Sequence, residues 1–174
     1  MRELFIIDKK NYDPQGTVGE RPSVRGIILR NGQVAMMHSL KYDYYKLPGG
    51  GIEAGEKFED TLVREVKEES GLVVKEESIK EFGYVRRIEK GRFEDIFIQD
   101  NYYYLCEVED KNVEQELDEY EAEEQFILEF IDPKQAIETN EHANHFEKDE
   151  IHTFRGMLER ENKVLALLLN EDNK

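Results

Sequence analysis

Apolar residues along this chain recur with two different spacings, and the change from one to the other sets out the elements in order. Leu4 to Ile7 form a short apolar run that reads as an edge strand or an N-terminal extension. Residues 11–22 are rich in Gly, Pro and Asp and read as loop. Two apolar runs, Arg25 to Leu29 and Val34 to His38, flank Asn31-Gly32, a strong hairpin-turn dipeptide. Leu40 to Leu47 (LKYDYYKL) reads as a connecting segment carrying Tyr42, Tyr44 and Tyr45. Pro48 prevents a central strand from continuing, and Gly49, Gly50 and Gly51 form a loop. From about Lys57 the period turns helical. Phe58, Leu62 and Val66 recur every four residues, Val63 widens the stripe, and Gly71 sits where a helix C-cap glycine belongs.

Beyond Gly71 the strand pattern returns. Leu72 to Val74 and Glu81 to Glu89 read as strands, Gly91 as a turn, and Phe93 to Leu105 as a further strand or pair. Asn112 to Glu124 is strongly acidic and reads as loop plus a short helix. Phe126 to Ile131 reads as a strand. Asp132-Pro133 then opens a helix to about Thr139, with Asp132 as N-cap and Pro133 at its first position. Glu150 to Leu169 closes the chain as a long helix, its apolar side marked by Phe154, Leu158, Leu165 and Leu168. That side could pack on the rest of the chain or form a homodimer contact. There is no internal repeat and no second domain boundary. The expectation is one domain over 1–174, with an N-terminal strand and loop (1–22) and a C-terminal helical extension (140–174).

The carboxylates of the central helix fall where the pattern makes them informative. At about 100° per residue, Glu69 lies inside the arc of Phe58, Leu62 and Val66, Glu65 beside it, and Glu68 one step further round. Their i, i+3, i+4 spacing makes the three side chains neighbours. A charge run on a helix is ordinarily a solvated face, which suits Glu59 and Lys67 but not Glu69. Like charges bordering a core are destabilising unless compensated. A divalent cation is the obvious compensation, and hard oxygen ligands suit Mg²⁺ or Mn²⁺. No Cys/His cluster competes for zinc. Arg64 can orient one of the glutamates by a bidentate pair. Glu56, at the helix start, is favoured by the dipole and reads equally well as a capping carboxylate.

Charge and cysteine content narrow the setting. Charged residues make up 37% of the 174 and the net charge is −16, which argues against a nucleic-acid duplex as partner. Small nucleotides, which can arrive with Mg²⁺, are not excluded. Cys106 is the sole cysteine, so no disulfide closes within the chain, which fits a reducing cytosol. In its apolar strand Cys106 reads as buried and inert. No signal peptide or long apolar run points to a membrane, so the expected location is cytoplasmic. Arg86 and Arg87 are adjacent on a strand, so at most one of them faces a site. His142 and His145, at i, i+3, could form a metal pair but have no third ligand and read more simply as a solvated linker.

Written as a pattern, Gly50 to Leu72 is G-x5-E-x7-R-E-U-x-E-E-x-G-U, with U a bulky aliphatic residue. Gly50, Glu56, Arg64, Glu65, Val66, Glu68, Glu69, Gly71 and Leu72 all match the Nudix box. The chain therefore resembles the Nudix (MutT-like) hydrolases. The resemblance implies an α/β/α sandwich with a mixed β-sheet and the box as loop-helix-loop. It implies metal held by Glu65, Glu68 and Glu69, with a Gly50 carbonyl and Glu56 as further candidates, and Arg64 counted with the catalytic set. The implied reaction is hydrolysis of a nucleoside diphosphate linked to a group X. In many such enzymes a glutamate before the last strand is general base, and Glu121, Glu123 and Glu124 are all candidates here. The alternative is a catalytically weak Nudix-fold module that binds nucleotide and regulates. Such modules typically lose box glutamates, and here all three are present.

Specificity is less legible. The ADP-ribose type carries a proline about fifteen residues beyond the box, and none stands near Val85 to Arg87. The dinucleoside polyphosphate type has a tyrosine beyond the box, but Tyr84 comes earlier than expected, and the coenzyme A signature is absent. Elimination leaves the generic class that often acts on nucleoside triphosphates. Many members carry an arginine near the end of the preceding strand, where this chain has Met37 and His38. Residues choosing the substrate are expected among Arg25, Tyr44, Arg86 and the run Tyr102 to Tyr104, Tyr103 in particular.

Overall fold

A computed structural model describes residues 1–142 and 152–171 of the chain. His145 lies outside the described residues. Among the described residues, nine strands form two sheets. The first is mixed: β1 (Glu3–Asp8) runs parallel to β7 (Lys80–Glu89), β7 pairs antiparallel with β8 (Ile96–Leu105), and β8 pairs in parallel with both β2 (Val18–Glu20) and β3 (Ser23–Ile27). The second is wholly antiparallel, with β5 (Gln33–Ser39) flanked by β9 (Phe126–Ile131) and β6 (Tyr44–Lys46), and β4 (Leu29–Arg30) at its start. Helix α1 (Phe58–Ser70) covers one side. The helices α3 (Pro133–His142) and α4 (His152–Glu171) cover the other, and α2 (Glu119–Glu123) leads into β9.

Alternation along the strands explains the two cores. On β5, Val34 and Met36 join Ile27, Val85, Tyr103 and the α4 residues Val164, Leu165 and Leu168, while Ala35 turns to the other side. There Leu62 and Val66 of α1 pack against Val24, Ile28, Tyr104 and Cys106. A strand buried on both faces reads as a continuous apolar run, which is why VAMM shows no polar gap. Leu62 and Val66 are fully buried, and each contributes about 1.5–3 kcal/mol relative to exposure. Gly71 ends α1 at φ 72° and donates its N–H to the Lys67 carbonyl. A Cβ there would meet the Val113 carbonyl at 2.3 Å, so only glycine is accommodated.

Four local expectations change. The hairpin at Asn31-Gly32 is real but short: only Leu29–Arg30 pairs with Gln33–Val34. Ser23–Ile27 leaves it for β8 in the other sheet, because Val24 and Ile27 have opposite cores to fill. Residues 44–46 form strand β6 rather than a connection. Leu72 to Val74 makes a single bridge, Val74 to Val108, rather than a strand. The loop over 11–22 contains the short strand β2. The apolar side of α4 is used within the chain, against α3, β6 and β7. Among the described residues no helix is long and apolar enough to cross a membrane.

Candidate active site

The glycine loop is fastened to β3 residue by residue. Val24 N–H donates to the Gly50 carbonyl (2.9 Å) and Gly26 N–H to the Pro48 carbonyl (2.8 Å). Arg25 adds Nη1 bonds to the carbonyls of Leu47 (3.2 Å) and Gly49. A Cβ on Gly50 would lie 2.1 Å from Glu65 Oε2, so glycine lets the loop lie directly against the helix carboxylates. The loop, α1, β6, α2 and α4 enclose a cleft of about 440 Å³ lined by Glu65, Glu68, Glu69, Lys46, Glu121, Arg25 and Tyr44 among others. A groove of about 520 Å³ on the outer face of α1 lacks this convergence of buried polar groups and is less suited to chemistry.

Two cations order the carboxylates. Arg64 clamps Glu56 bidentately, Nε to Oε1 at 2.8 Å and Nη2 to Oε2 at 2.9 Å, and its Nη1 reaches Glu65 (2.7 Å) and Glu68 (3.1 Å). Its bidentate partner is thus Glu56, not a helix glutamate, and Arg64 positions acids rather than facing the reaction. Glu56 does not line the cleft, and both of its carboxylate oxygens are engaged by Arg64. The guanidinium, aided by the Thr61 hydroxyl, holds the Glu56 carboxyl down to about 2.

Lys46 is the other cation. Its side chain, 5% exposed, donates to Glu69 Oε1 (2.8 Å), Glu121 Oε1 (2.9 Å) and the Tyr120 hydroxyl (2.9 Å). Glu69 Oε2 accepts from Gly49 N–H at 2.9 Å. Burial pushes Glu69 well above the usual carboxylate range, and the facing Glu121 adds to the rise, although Lys46 opposes it. For Glu121 burial is outweighed by its hydrogen bond with Glu69 and by Lys46, so it lies below that range. Burial also raises Glu65 despite Arg64. Asp118 holds Glu121 in place through a reciprocal capping box on α2.

The structure separates the three general-base candidates. Glu121 is buried against Lys46 and faces Glu69. Glu123 is exposed and pairs with Lys41, and Glu124 is buried but accepts from the Tyr44 hydroxyl at 2.7 Å. Tyr44 lines the cleft. Tyr103 does not: it is fully buried in the core beneath, with its ring among Ile27 and Val85. Arg86 is corrected too. It points away from the cleft and forms a bidentate pair with Asp100, whereas Arg87, its neighbour, lines the cleft beside Glu89 at 3.0 Å. Strand alternation fixed that choice once the inward face was known. Lys46 and Arg160 are not singled out by the sequence, though Lys46 stands only two residues before Pro48 and alternates with Tyr44.

The carboxylates and the Gly50 carbonyl form an all-oxygen donor set, which chemically fits Mg²⁺ or Mn²⁺. As their side chains stand, no three acidic, His or Cys residues among those described converge closely enough to chelate an ion, because Lys46 and Arg64 engage them first.

Residues 19–153 match the family model described as "NUDIX domain". The chain is 37% identical over 60 residues to an ADP-ribose pyrophosphatase of Methanocaldococcus jannaschii, covering 33% of this chain and 36% of that protein. It is 48% identical over 56 residues to an RNA pyrophosphohydrolase of Stutzerimonas stutzeri, covering 31% of this chain and 35% of that protein. The matched stretch thus spans about a third of the length of these curated relatives. In solution the E. coli ORF135 protein has a similar fold, with a TM-score of 0.52 and 20% identity over 70% of this chain and 80% of that one.

Proposed function

Because the chain belongs to the Nudix family, we propose that its cleft hydrolyses a pyrophosphate bond in a nucleoside diphosphate linked to a group X. The observation carrying this reading is the placement of Glu69, 4% exposed on the apolar stripe of α1 and directed into the cleft with Glu65, Glu68 and Glu121. Lys46 and Arg64 compensate these carboxylates in part, and attack on a pyrophosphate bond calls for a divalent cation beside them. Glu65, Glu68 and Glu69, with the Gly50 carbonyl, would hold Mg²⁺ or Mn²⁺. The chemistry such a cation supplies is Lewis-acid neutralisation of phosphate oxygens and acidification of water.

The chain's own residues do the rest. Arg64 fixes the rotamers of Glu65 and Glu68 through its clamp on Glu56. Lys46 opposes the rise of the Glu69 carboxyl and helps hold Glu121 below the usual carboxylate range. Glu121 is placed to accept a proton from an attacking water, since its carboxylate is ionised and held by the Asp118 capping box. The glycine loop leaves the floor open to phosphate oxygens.

The relatives act on ADP-ribose and on RNA, as their names state. A nucleoside triphosphate, with a standard or a modified base, is the substrate class reached by elimination. A nucleotide-binding module with weak catalysis is the rival reading, and it draws on Lys46 already neutralising Glu69. The test is a panel of nucleoside triphosphates, ADP-ribose, nucleotide sugars and 5′-triphosphorylated RNA, assayed for phosphate and pyrophosphate release with Mg²⁺ or Mn²⁺. Turnover of a panel member, lost in EDTA, is expected; no turnover of any, with binding retained, establishes the rival.

A further inference from the structure

Strand β6 has an open edge. β5 pairs with one side of it, and no strand among the described residues pairs with the other. Peptide groups on an open edge need partners when they are buried, and Tyr45 and Leu47 are both buried. Backbone groups two residues apart face the same edge, so Tyr45 and Leu47 both present theirs away from β5. Side chains of the two C-terminal helices take the place of the missing strand. Asn140 of α3 accepts the Tyr45 N–H through Oδ1 at 2.7 Å and donates from Nδ2 to the Tyr45 carbonyl at 3.1 Å. Glu161 of α4 accepts the Leu47 N–H through Oε2 at 2.9 Å.

A carboxamide carries the same donor and acceptor as a peptide group, so Asn140 meets Tyr45 as a ladder residue would. Asparagine is a poor residue within a helix, and at 2% exposure Asn140 gains nothing from solvent. The strand edge is the contact that accounts for it. Its Nδ2 also donates to Asn162 Oδ1 of α4 at 2.9 Å, and Glu161 is held by Arg160, which reaches Asn101 of β8. Residues 160–162 thus tie β6 to the first sheet, and they lie beyond the stretch 19–153 matched to the family. Between the two anchored residues stands Lys46, whose ammonium holds Glu69 Oε1, while Gly49 N–H, just past the strand, holds Glu69 Oε2.

We infer that Asn140, backed by Asn162 and Glu161, is a positioning residue for the cleft. It does not line the cleft and acts through Lys46, by fixing the backbone that aims the ammonium at Glu69 and Glu121. The inference rests on the proposed pyrophosphohydrolase reading for its kinetic readout only. It goes beyond that reading by making α3 and α4 part of the machinery that sets the carboxylates.

The experiment compares wild type, Asn140→Ala, Lys46→Met, the double variant and Leu165→Ala by kcat on a panel substrate and by NMR amide hydrogen exchange. Asn140→Ala is expected to lower kcat at least about tenfold, since a misplacement of about 1 Å can cost about 10²-fold. In the Lys46→Met background the same change should cost less than about threefold, because its effect passes through Lys46. Leu165→Ala, a core truncation on α4, lowers overall stability and leaves kcat within about twofold. The Gly49 amide should exchange at least about tenfold faster in Asn140→Ala, beyond any change at the core amides of β7 and β8, and only in step with them in Leu165→Ala. If Asn140→Ala does not fold, Asn162→Ala is read in its place, with at least about threefold expected in kcat and in Gly49 exchange. An equal kcat loss in both backgrounds, a loss as large in Leu165→Ala, or Gly49 exchange that follows the core amides overturns the inference. Should no panel substrate turn over, Gly49 exchange decides alone, and local acceleration leaves this inference standing while the hydrolase reading falls. Turnover by wild type with Asn140→Ala unimpaired does the reverse.

Discussion

Replacing Lys46 by methionine tests the electrostatic design of the cleft. Met keeps the length and packing of the side chain but removes a charge that sits 2.8 Å from Glu69, 2.9 Å from Glu121 and 2.9 Å from the Tyr120 hydroxyl. Both carboxylate side chains are 6% exposed, so water cannot replace the lost partner. Removing one member of a buried ion pair destabilises by about 3–5 kcal/mol, because the remaining charge is left uncompensated. At roughly 2–4 °C per kcal/mol for a chain of this size, the melting temperature falls by roughly 6–20 °C. The loss depends on pH in a definite direction. Glu69 already has a raised folded-state pKa, through burial and the facing Glu121, and without Lys46 it rises further. A carboxyl raised in the folded state contributes stability that is present below its unfolded value and lost as pH rises through its folded one. Thermal melts of Lys46→Met should therefore approach wild type near pH 5 and separate from it at pH 8, and Mg²⁺ should recover part of the deficit at pH 8. A melting temperature unchanged at pH 8, or a deficit equal at both pH values, refutes the reasoning.

Other outcomes follow from particular contacts. Arg87→Ala is expected to lower kcat/KM at least about tenfold, whereas Arg86→Ala, which breaks only the exposed Asp100 pair, stays within about twofold in the same assay. Glu121→Gln should reduce kcat by about 10²–10⁴, the range of a lost general base, while Glu123→Gln, exposed and paired with Lys41, leaves it unchanged. Glu56 is held down to about 2 chiefly by Arg64, so its contribution is complete above its ordinary value of 4.5 and lost as pH falls toward 2. Acid titration followed by circular dichroism should show Arg64→Ala with a shallower loss of stability across that window.

Much of the site could be read before any coordinates because one helix carries it. The period of α1 placed Glu69 on the buried stripe, and burial there is 4%. The same logic applies further along the chain. Phe154, Leu158, Leu165 and Leu168 mark α4, and the step between Leu158 and Leu165 passes through Glu161, which is fully buried and accepts from Leu47 N–H at 2.9 Å. A carboxylate on the apolar stripe of α4 marks a buried polar contact, here the anchor of the Leu47 backbone, as Glu69 does on α1. Other features depended on pairing that no local pattern encodes. Choosing Arg87 over Arg86 required knowing which face of β7 turns toward α4. Separating Glu121 from Glu123 and Glu124 required the Asp118 cap and the Lys46 side chain, which lie 75 residues apart in sequence from Lys46 to Glu121. Moving β3 out of the hairpin followed from two cores competing for adjacent residues, a long-range effect.

The most direct measurement is the Mg²⁺ dependence of hydrolysis by wild type and Glu69→Gln, side by side, on whichever panel substrate turns over. Wild-type activity should rise from nothing in EDTA to saturation with added Mg²⁺, and Glu69→Gln should stay orders of magnitude lower at every concentration while keeping its circular dichroism spectrum. Wild-type rates in Glu69→Gln, or activity indifferent to EDTA, would contradict the assignment of this cleft as a cation-dependent pyrophosphohydrolase site.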